Sequence, residues 1–205
     1  IIDDWHTIGL EGTGSKSFEV KDAFVPEHRI LMGGEASGGF GPGVAVNHAP
    51  VYRTPRGGVT TTGFGALTVG MARGVLKEWL LYTAPRKSRG VAVADQPGTQ
   101  LIAAQASAEI DSASALYMDN VRRAMRVLEA GGTIPKEELL ITKRNIAYAC
   151  KLALKAGTDL FNAAGGRALF QGNALGRQYT NLIGAASHHA VMWEANAVPF
   201  AKDLF

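Results

Sequence analysis

Apolar positions change their spacing once along this chain, and the change divides it into two regions. Between Ser17 and Pro26 the side chains of Phe18, Val20 and Phe24 alternate with polar or small neighbours, the period-two pattern of a strand with one buried face. The turn Gly12-Thr-Gly-Ser15 precedes it. From Met32 to Gly58 the chain is rich in Gly, Pro, Ser and Asn, which predicts a long irregular connection. After that everything reads as helix. The first runs from about Val59 to Tyr82, with Leu67, Met71, Val75, Trp79 and Leu80 at helical spacing. In the second, Ile102, Ala106, Ile110, Ala113, Tyr117, Val121, Ala124 and Leu128 advance by fours and threes to Gly131-Gly132. A third starts near Pro135, which suits a first helical position, carries the stripe Leu139, Ile146, Ala149, Ala153, Ala156 and Leu160, and ends at Gly165-Gly166. The fourth region runs from about Gly176 to Phe205, with Pro199 expected to break a last short turn. Short Gly-rich links between successive helices predict an antiparallel bundle.

Composition narrows the class. With 205 residues, 46% of them hydrophobic, the chain can bury a real core. The 21 basic and 18 acidic residues give a net charge of only +3 and are scattered through the helices, so nucleic acid is not an expected partner. No apolar run is long enough to span a bilayer and no basic-then-apolar leader is seen, so a soluble, cytoplasmic protein is expected. The single cysteine, Cys150, lies in an apolar stretch and reads as a small core residue in a reducing compartment. The chain opens at Ile1 without an initiator methionine, and a fragment of a longer protein is expected.

The strong chemical signatures are missing. There is no Walker lysine motif, no HExxH, no zinc-spaced Cys/His cluster and no nucleophile elbow, so no metal is expected. What remains is the adjacent pair His188-His189, the Gly-rich turns, and the basic group Arg86, Lys87 and Arg89 after the first long helix. Neighbouring positions on a helix point about 100° apart, so the two histidines make a poor metal pair. Taken bare, the pair is either a core or interface feature satisfied by backbone or a catalytic group. Thr13 and Ser15 either offer a phosphate or ring carbonyl their hydroxyls or only complete a tight turn. His28 and His48 read as solvated.

Several fragments together resemble one family. Trp5 to Ser15, followed by Phe18 to Pro26, is similar to the middle β-domain segment of acyl-CoA-dehydrogenase-like flavoproteins. Tyr82 to Gly90 resembles the stretch that closes their first bundle helix, Gln100 to Asp111 the helix after it, and Gly165-Gly166 with Arg177 the turn and arginine ahead of the last helix. The resemblance implies a mainly α chain: residues 1–48 as a partial middle β-domain, the tail end of a β-barrel, with its connecting loop, and 49–205 as the C-terminal four-helix bundle.

The last helix selects the branch. Common dehydrogenases of the family carry Arg-Asp there and, eight residues after the Asp, the glutamate that abstracts the substrate's α-proton. Here Thr180-Asn181 stands in the Arg-Asp position, and eight residues beyond Asn181 is His189. The two-component aromatic hydroxylases of the family instead carry a histidine seven residues on, which is His188. By resemblance the chain is thus similar to an oxygenase that takes reduced FMN or FAD from a separate flavin reductase, forms a C4a-hydroperoxyflavin with O2 and hydroxylates a phenolic or other aromatic substrate. His188 would be catalytic, stabilising the hydroperoxide or assisting deprotonation of the phenol. Arg86 would reach a flavin phosphate, with Thr13, Ser15, Gly165 and Gly166 near the flavin, and the enzyme would be a homotetramer. Two other readings stay open: an acyl-CoA dehydrogenase or oxidase drawing its base from elsewhere, and a non-catalytic bundle fragment serving oligomer assembly.

Overall fold

The computed structural model describes residues 1–205, the Ala36 side chain aside. Its helices are α1 (Gly33–Gly38), α2 (Arg56–Thr83), α3 (Pro97–Glu129), α4 (Lys136–Ala164), α5 (Ala174–Ala186) and α6 (Trp193–Lys202). A two-residue-per-strand hairpin, β1 (Lys87–Ser88) with β2 (Val91–Ala92), follows α2. Its turn is Arg89-Gly90, with φ of 51° and 84°, the left-handed pair that a tight hairpin turn demands. None of these helices is long and apolar enough to cross a membrane.

The long helices start and stop for local reasons. Pro97 opens α3 at a position where its missing N–H costs nothing, and Gly131 (φ 82°) follows the other end. The Arg53 guanidinium donates to the carbonyls of Leu128 and Gly131 there, a cation on the negative end of the helix dipole. Lys136 starts α4, with Pro135 just outside it and Glu137 and Glu138 in its first turn. Glu138 accepts from Arg123 on α3 at 2.6 Å.

The core lies where α2, α3, α4 and α5 meet, with Val75, Trp79, Ile110, Ala153, Leu160 and Leu182 among its buried residues. The stripe expected on α3 is the buried one at Ala106, Ile110, Ala113 and Leu128. On α2 the expectation fails in part, because Leu67 and Leu80 are exposed. The inward face of α2 instead carries Thr61, Gly65, Thr68, Val69, Ala72, Val75 and Trp79. Thr61 and Thr68 donate their hydroxyls to the carbonyls four residues back, Gly57 and Phe64, so polar side chains enter the core already satisfied.

Small residues set the helix spacing. A Cβ at Gly65 would lie 2.5 Å from Ile146 Cγ2 and 3.2 Å from the Tyr117 ring. One at Gly157 of α4 would collide with Leu182 of α5 and come within 3.9 Å of Val75 of α2.

Three other expectations are corrected. Residues 17–26 form no strand, and Phe18, Val20 and Phe24 are exposed; alternation signals one apolar face, but a strand also needs a partner to take its N–H and C=O groups, and no barrel forms. The connection over 32–58 is not wholly irregular, since it contains α1 and two single-turn 3-10 helices, Pro42–Ala45 and Pro50–Arg53. The last helical region breaks at Ser187 to Met192, not at Pro199, which sits inside α6.

Replacing Gly157 with Val is expected to destabilise the bundle by about 1–3 kcal/mol, because the new side chain would collide with the fully buried Leu182. A urea unfolding midpoint equal to that of the parent would show that α5 can shift away from α4.

Candidate functional site

Helix α5 links the three groups that the sequence singles out. Thirteen residues long, it spans about 20 Å at 1.5 Å per residue. At its start Asn173 accepts from the N–H groups of Leu175 and Gly176, a side-chain N-cap. Gly176 packs without room for a Cβ against the Ala168 carbonyl of the turn that Gly165 and Gly166 open.

At the middle of α5 the N-terminal segment is clamped. The Leu10 N–H donates to Asn181 Oδ1 at 2.7 Å, Gly9 lies against the Thr180 carbonyl with no room for a side chain, and the Leu10 side chain rests over Gly184. Leu10 itself adopts φ 58°, a left-handed conformation that costs a leucine energy and persists only where the surroundings hold it. Its carbonyl accepts from the Thr13 N–H at 3.0 Å, from the Thr13 hydroxyl at 2.9 Å and from the Trp5 indole at 3.2 Å. The Thr13 and Ser15 hydroxyls are 3.1 Å apart and exposed. Thr180-Asn181 therefore acts as a docking point for this turn.

At the end of α5 the histidine pair lies in the turn before α6 and not on a helix, which corrects the expectation. Ser187 N–H still donates to Ile183 O, but Val191 N–H donates to His188 O at 2.9 Å, closing a tight turn. Asn196 of α6, buried, donates to the carbonyls of Ala190 and Met192 and holds the turn from below. Released from helical geometry, the two imidazoles come within 4.4 Å of one another at 38°. His188 also stacks on Phe64 of α2, centroids 3.5 Å apart and planes 8° apart. Burial, and then the neighbouring His189, push the His188 pKa down.

Arg86 stands by the Gly165-Gly166 turn. The hairpin fixes its backbone, since Val93 N–H donates to Arg86 O at 2.9 Å. Its guanidinium lies 4.8 Å over the Tyr82 ring and donates through Nη1 to the Ala164 carbonyl at 2.9 Å. The other terminal nitrogen, Nη2, comes within 4.0 Å of where a Cβ on Gly165 (φ 78°) would stand. Just before it on α2, Trp79 Nε1, Tyr82 OH and Thr83 Oγ1 are buried with no hydrogen-bond partner.

Arg86 is thus brought to Gly165-Gly166, and Thr13 to Ser15, whereas His188 stands apart at the far end of α5. Sequence reasoning missed Phe64, Asn196 and the docking role of Asn181. Of these only Asn181 carried a signal, through its offset from His188. Cys150 is buried as expected, its thiol pushed up to about 11 by that burial.

A family model described as the acyl-CoA dehydrogenase C-terminal domain matches residues 62–193, and the chain belongs to that family. Within it, similarity runs to hydroxylases. The flavin-dependent monooxygenase oxygenase subunit HsaA of Rhodococcus jostii (strain RHA1) is 34% identical over 193 residues, 92% of this chain and 50% of that protein. The oxygenase component of an FADH(2)-dependent resorcinol hydroxylase from Rhizobium sp. (strain MTP-10005) is 28% identical, covering 100% of this chain and 53% of its own.

The crystal structure of 3-HSA hydroxylase from Rhodococcus sp. RHA1 superposes over 100% of this chain and 53% of that one, with a TM-score of 0.91 and 32% identity. An acyl-CoA dehydrogenase from Geobacillus kaustophilus shares the fold alone, at a TM-score of 0.61 and 17% identity over 73% of this chain and 37% of that one. The chain spans about half the length of the curated relatives it matches.

Two outcomes are expected. Asn181→Ala should leave the bundle folded, at a cost of about 0.5–1.5 kcal/mol, but free the Leu10 anchor; hydrogen exchange over residues 1–16 should then speed up, and unchanged exchange would mean the clamp holds nothing. The lowered pKa of His188 means that on acidification the unfolded chain binds a proton before the folded one does. Stability is then full above the ordinary histidine pKa and falls as pH drops toward the lower, folded value. Between about pH 7.5 and about pH 5.5, His188→Gln should lose less stability in urea titrations than the parent.

Proposed function

We propose that this chain is part of the oxygenase component of a two-component flavin-dependent monooxygenase, which hydroxylates a phenolic or other aromatic substrate using O2 and reduced FMN or FAD supplied by a separate reductase. The observation that carries the reading is His188: a stacked imidazole seven residues beyond Asn181, in a chain whose relatives include aromatic hydroxylases. In this reading residues 1–48 belong to the middle β-domain and 49–205 to the C-terminal bundle.

The residues present fit a flavin. Arg86 keeps a guanidinium nitrogen beside Gly165, its other terminal nitrogen on the Ala164 carbonyl, which suits a phosphate-bearing ligand. Arg86 with Gly165 and Gly166 would hold that phosphate, and Thr13 and Ser15 would offer exposed hydroxyls to the flavin from the clamped turn. A bound reduced flavin would supply the electrons that activate O2. His188 is the catalytic group, orienting the substrate oxygen and holding a proton at hydrogen-bond reach of it, work for which imidazole suits because either ring nitrogen can donate or accept.

Assembly follows the same reading. Leu80 and Leu81 near the end of α2 and Leu101 near the start of α3, all exposed, offer apolar contacts to neighbouring copies in a homotetramer. A cytoplasmic setting suits a chain whose one thiol is free.

The full-length protein, given reductase, reduced flavin, O2 and a panel of phenols, should form hydroxylated product. Reduction of its flavin by an acyl-CoA thioester would overturn the reading. His188→Ala should cut coupled hydroxylation by about 100-fold and raise peroxide release while leaving circular dichroism unchanged. Unchanged coupling would remove His188 from the site.

A further inference from the structure

Two contacts fix the His188 ring before any ligand arrives. The Ala190 N–H donates to Nδ1 at 3.2 Å. A backbone N–H can only donate, so Nδ1 must present its lone pair, and the proton of the neutral ring sits on Nε2. The second contact is Phe64, parallel to the ring at 3.5 Å. Phe64 is itself held, since it packs with Tyr117 against Ile146, Cys150 and Val191, and the Thr68 hydroxyl bonds its carbonyl at 2.8 Å. Side chains of α2, α3 and α4 and the turn after α5 thus combine to set one plane and one tautomer.

We infer that Phe64 and the Ala190 N–H are positioning groups that hold His188 as an Nε2–H hydrogen-bond donor, so that the site receives its aromatic substrate as a phenolate, through an accepting oxygen. The inference rests on the proposed function and deepens it. A neutral His188 in this tautomer has no lone pair on Nε2 with which to take the phenol's proton, and its Nδ1 lone pair is occupied by the chain. An ionised phenol oxygen, with its lone pairs and negative charge, forms the stronger hydrogen bond to such a donor. Of the ionisable groups near the ring, His189 lies in the same turn, Tyr117 and Cys150 lie behind Phe64, and Lys151 and Glu194 line a pocket with Ser187 and Val191 of the turn. Burial pushes the Tyr117 hydroxyl up, and the Cys150 thiol up to about 11, so both stay neutral and neither supplies a charge that would favour imidazolium.

The test uses the full-length protein with histidine enriched in the heavy nitrogen isotope, the His188 signal being identified by its loss in His188→Ala. Long-range proton–nitrogen correlation near neutral pH should show a single tautomer, protonated at Nε2. Phe64→Leu should bring the two ring nitrogens toward an averaged position, whereas Phe64→Tyr, which keeps the stack, should restore the single tautomer. Averaged nitrogens or an Nδ1–H in the parent would overturn the positioning, as would a Phe64→Leu spectrum identical to the parent's. Matching circular dichroism confirms that each variant is folded.

4-Nitrophenol, coloured only when ionised, probes the substrate form. Its apparent pKa should fall by about one unit on binding, a tenfold preference for phenolate, and the fall should vanish in His188→Phe. Binding of the colourless form would overturn the phenolate assignment. A locked ring with phenolate binding in a protein that hydroxylates no phenol would overturn the functional reading alone. Hydroxylation by a protein whose ring nitrogens are averaged would overturn the positioning alone.

Discussion

The close approach of three helices at Gly157 is the constraint on which the rest of the molecule depends. With no side chain there, Leu182 of α5 and Val75 of α2 fill the space beside α4, and all three helices contribute fully buried residues around it. Close-packed interiors do not deform gradually. The position of α5 is therefore set by the core, while its two ends and its outer face are free to carry groups that do something other than pack.

That division explains how one short helix serves three places. Its first turn closes on the Ala168 carbonyl, next to the glycine turn that Arg86 faces. Its middle presents Asn181 to the Leu10 N–H, which stabilises a left-handed leucine and, through the Leu10 carbonyl, the turn bearing Thr13 and Ser15. The turn that follows its last residue, Ala186, carries His188. The Leu10 clamp matters because residues 1–48 bury little of their own: Phe18, Phe24 and Ile30 are all exposed, so one amide contact and a leucine over Gly184 do what a core would otherwise do.

Much of the bundle was legible in the sequence, and the places where it was not have physical causes. The α3 stripe was readable because that helix buries one face with large residues, the case in which periodicity speaks plainly. On α2 the close contacts belong to glycine, alanine and back-bonded threonine, so the largest apolar residues, Leu67 and Leu80, drew attention to the wrong side. Alternation at 17–26 marked three apolar side chains but could not report whether a pairing strand exists, and all three are exposed. Of the site, residue types and their offset from Asn181 were readable. Its second layer, Phe64 and Asn196, was not, because contacts between α2, the turn and α6 depend on tertiary packing.

The misjudged helix break carries the most chemistry. A proline inside a helix forfeits one ladder bond, and α6 carries Pro199 at that cost, supported by a packed neighbour, as when Arg144 lies 4.0 Å over Phe200. Ser187 has no such obvious mark, yet the helix ends there. Had α5 continued through the histidines, the Ala190 N–H would donate to the Ala186 carbonyl four residues back, as the ladder requires. It could not then reach His188 Nδ1. Breaking the ladder is what releases an N–H to choose the tautomer of the ring two residues earlier. Asn196 takes over the carbonyls of Ala190 and Met192. A carboxylate on an unbroken helix can act as a base from either oxygen. An imidazole that must meet its ligand as a donor needs its other nitrogen occupied, and here the chain supplies that partner by ending the helix two residues before the ring.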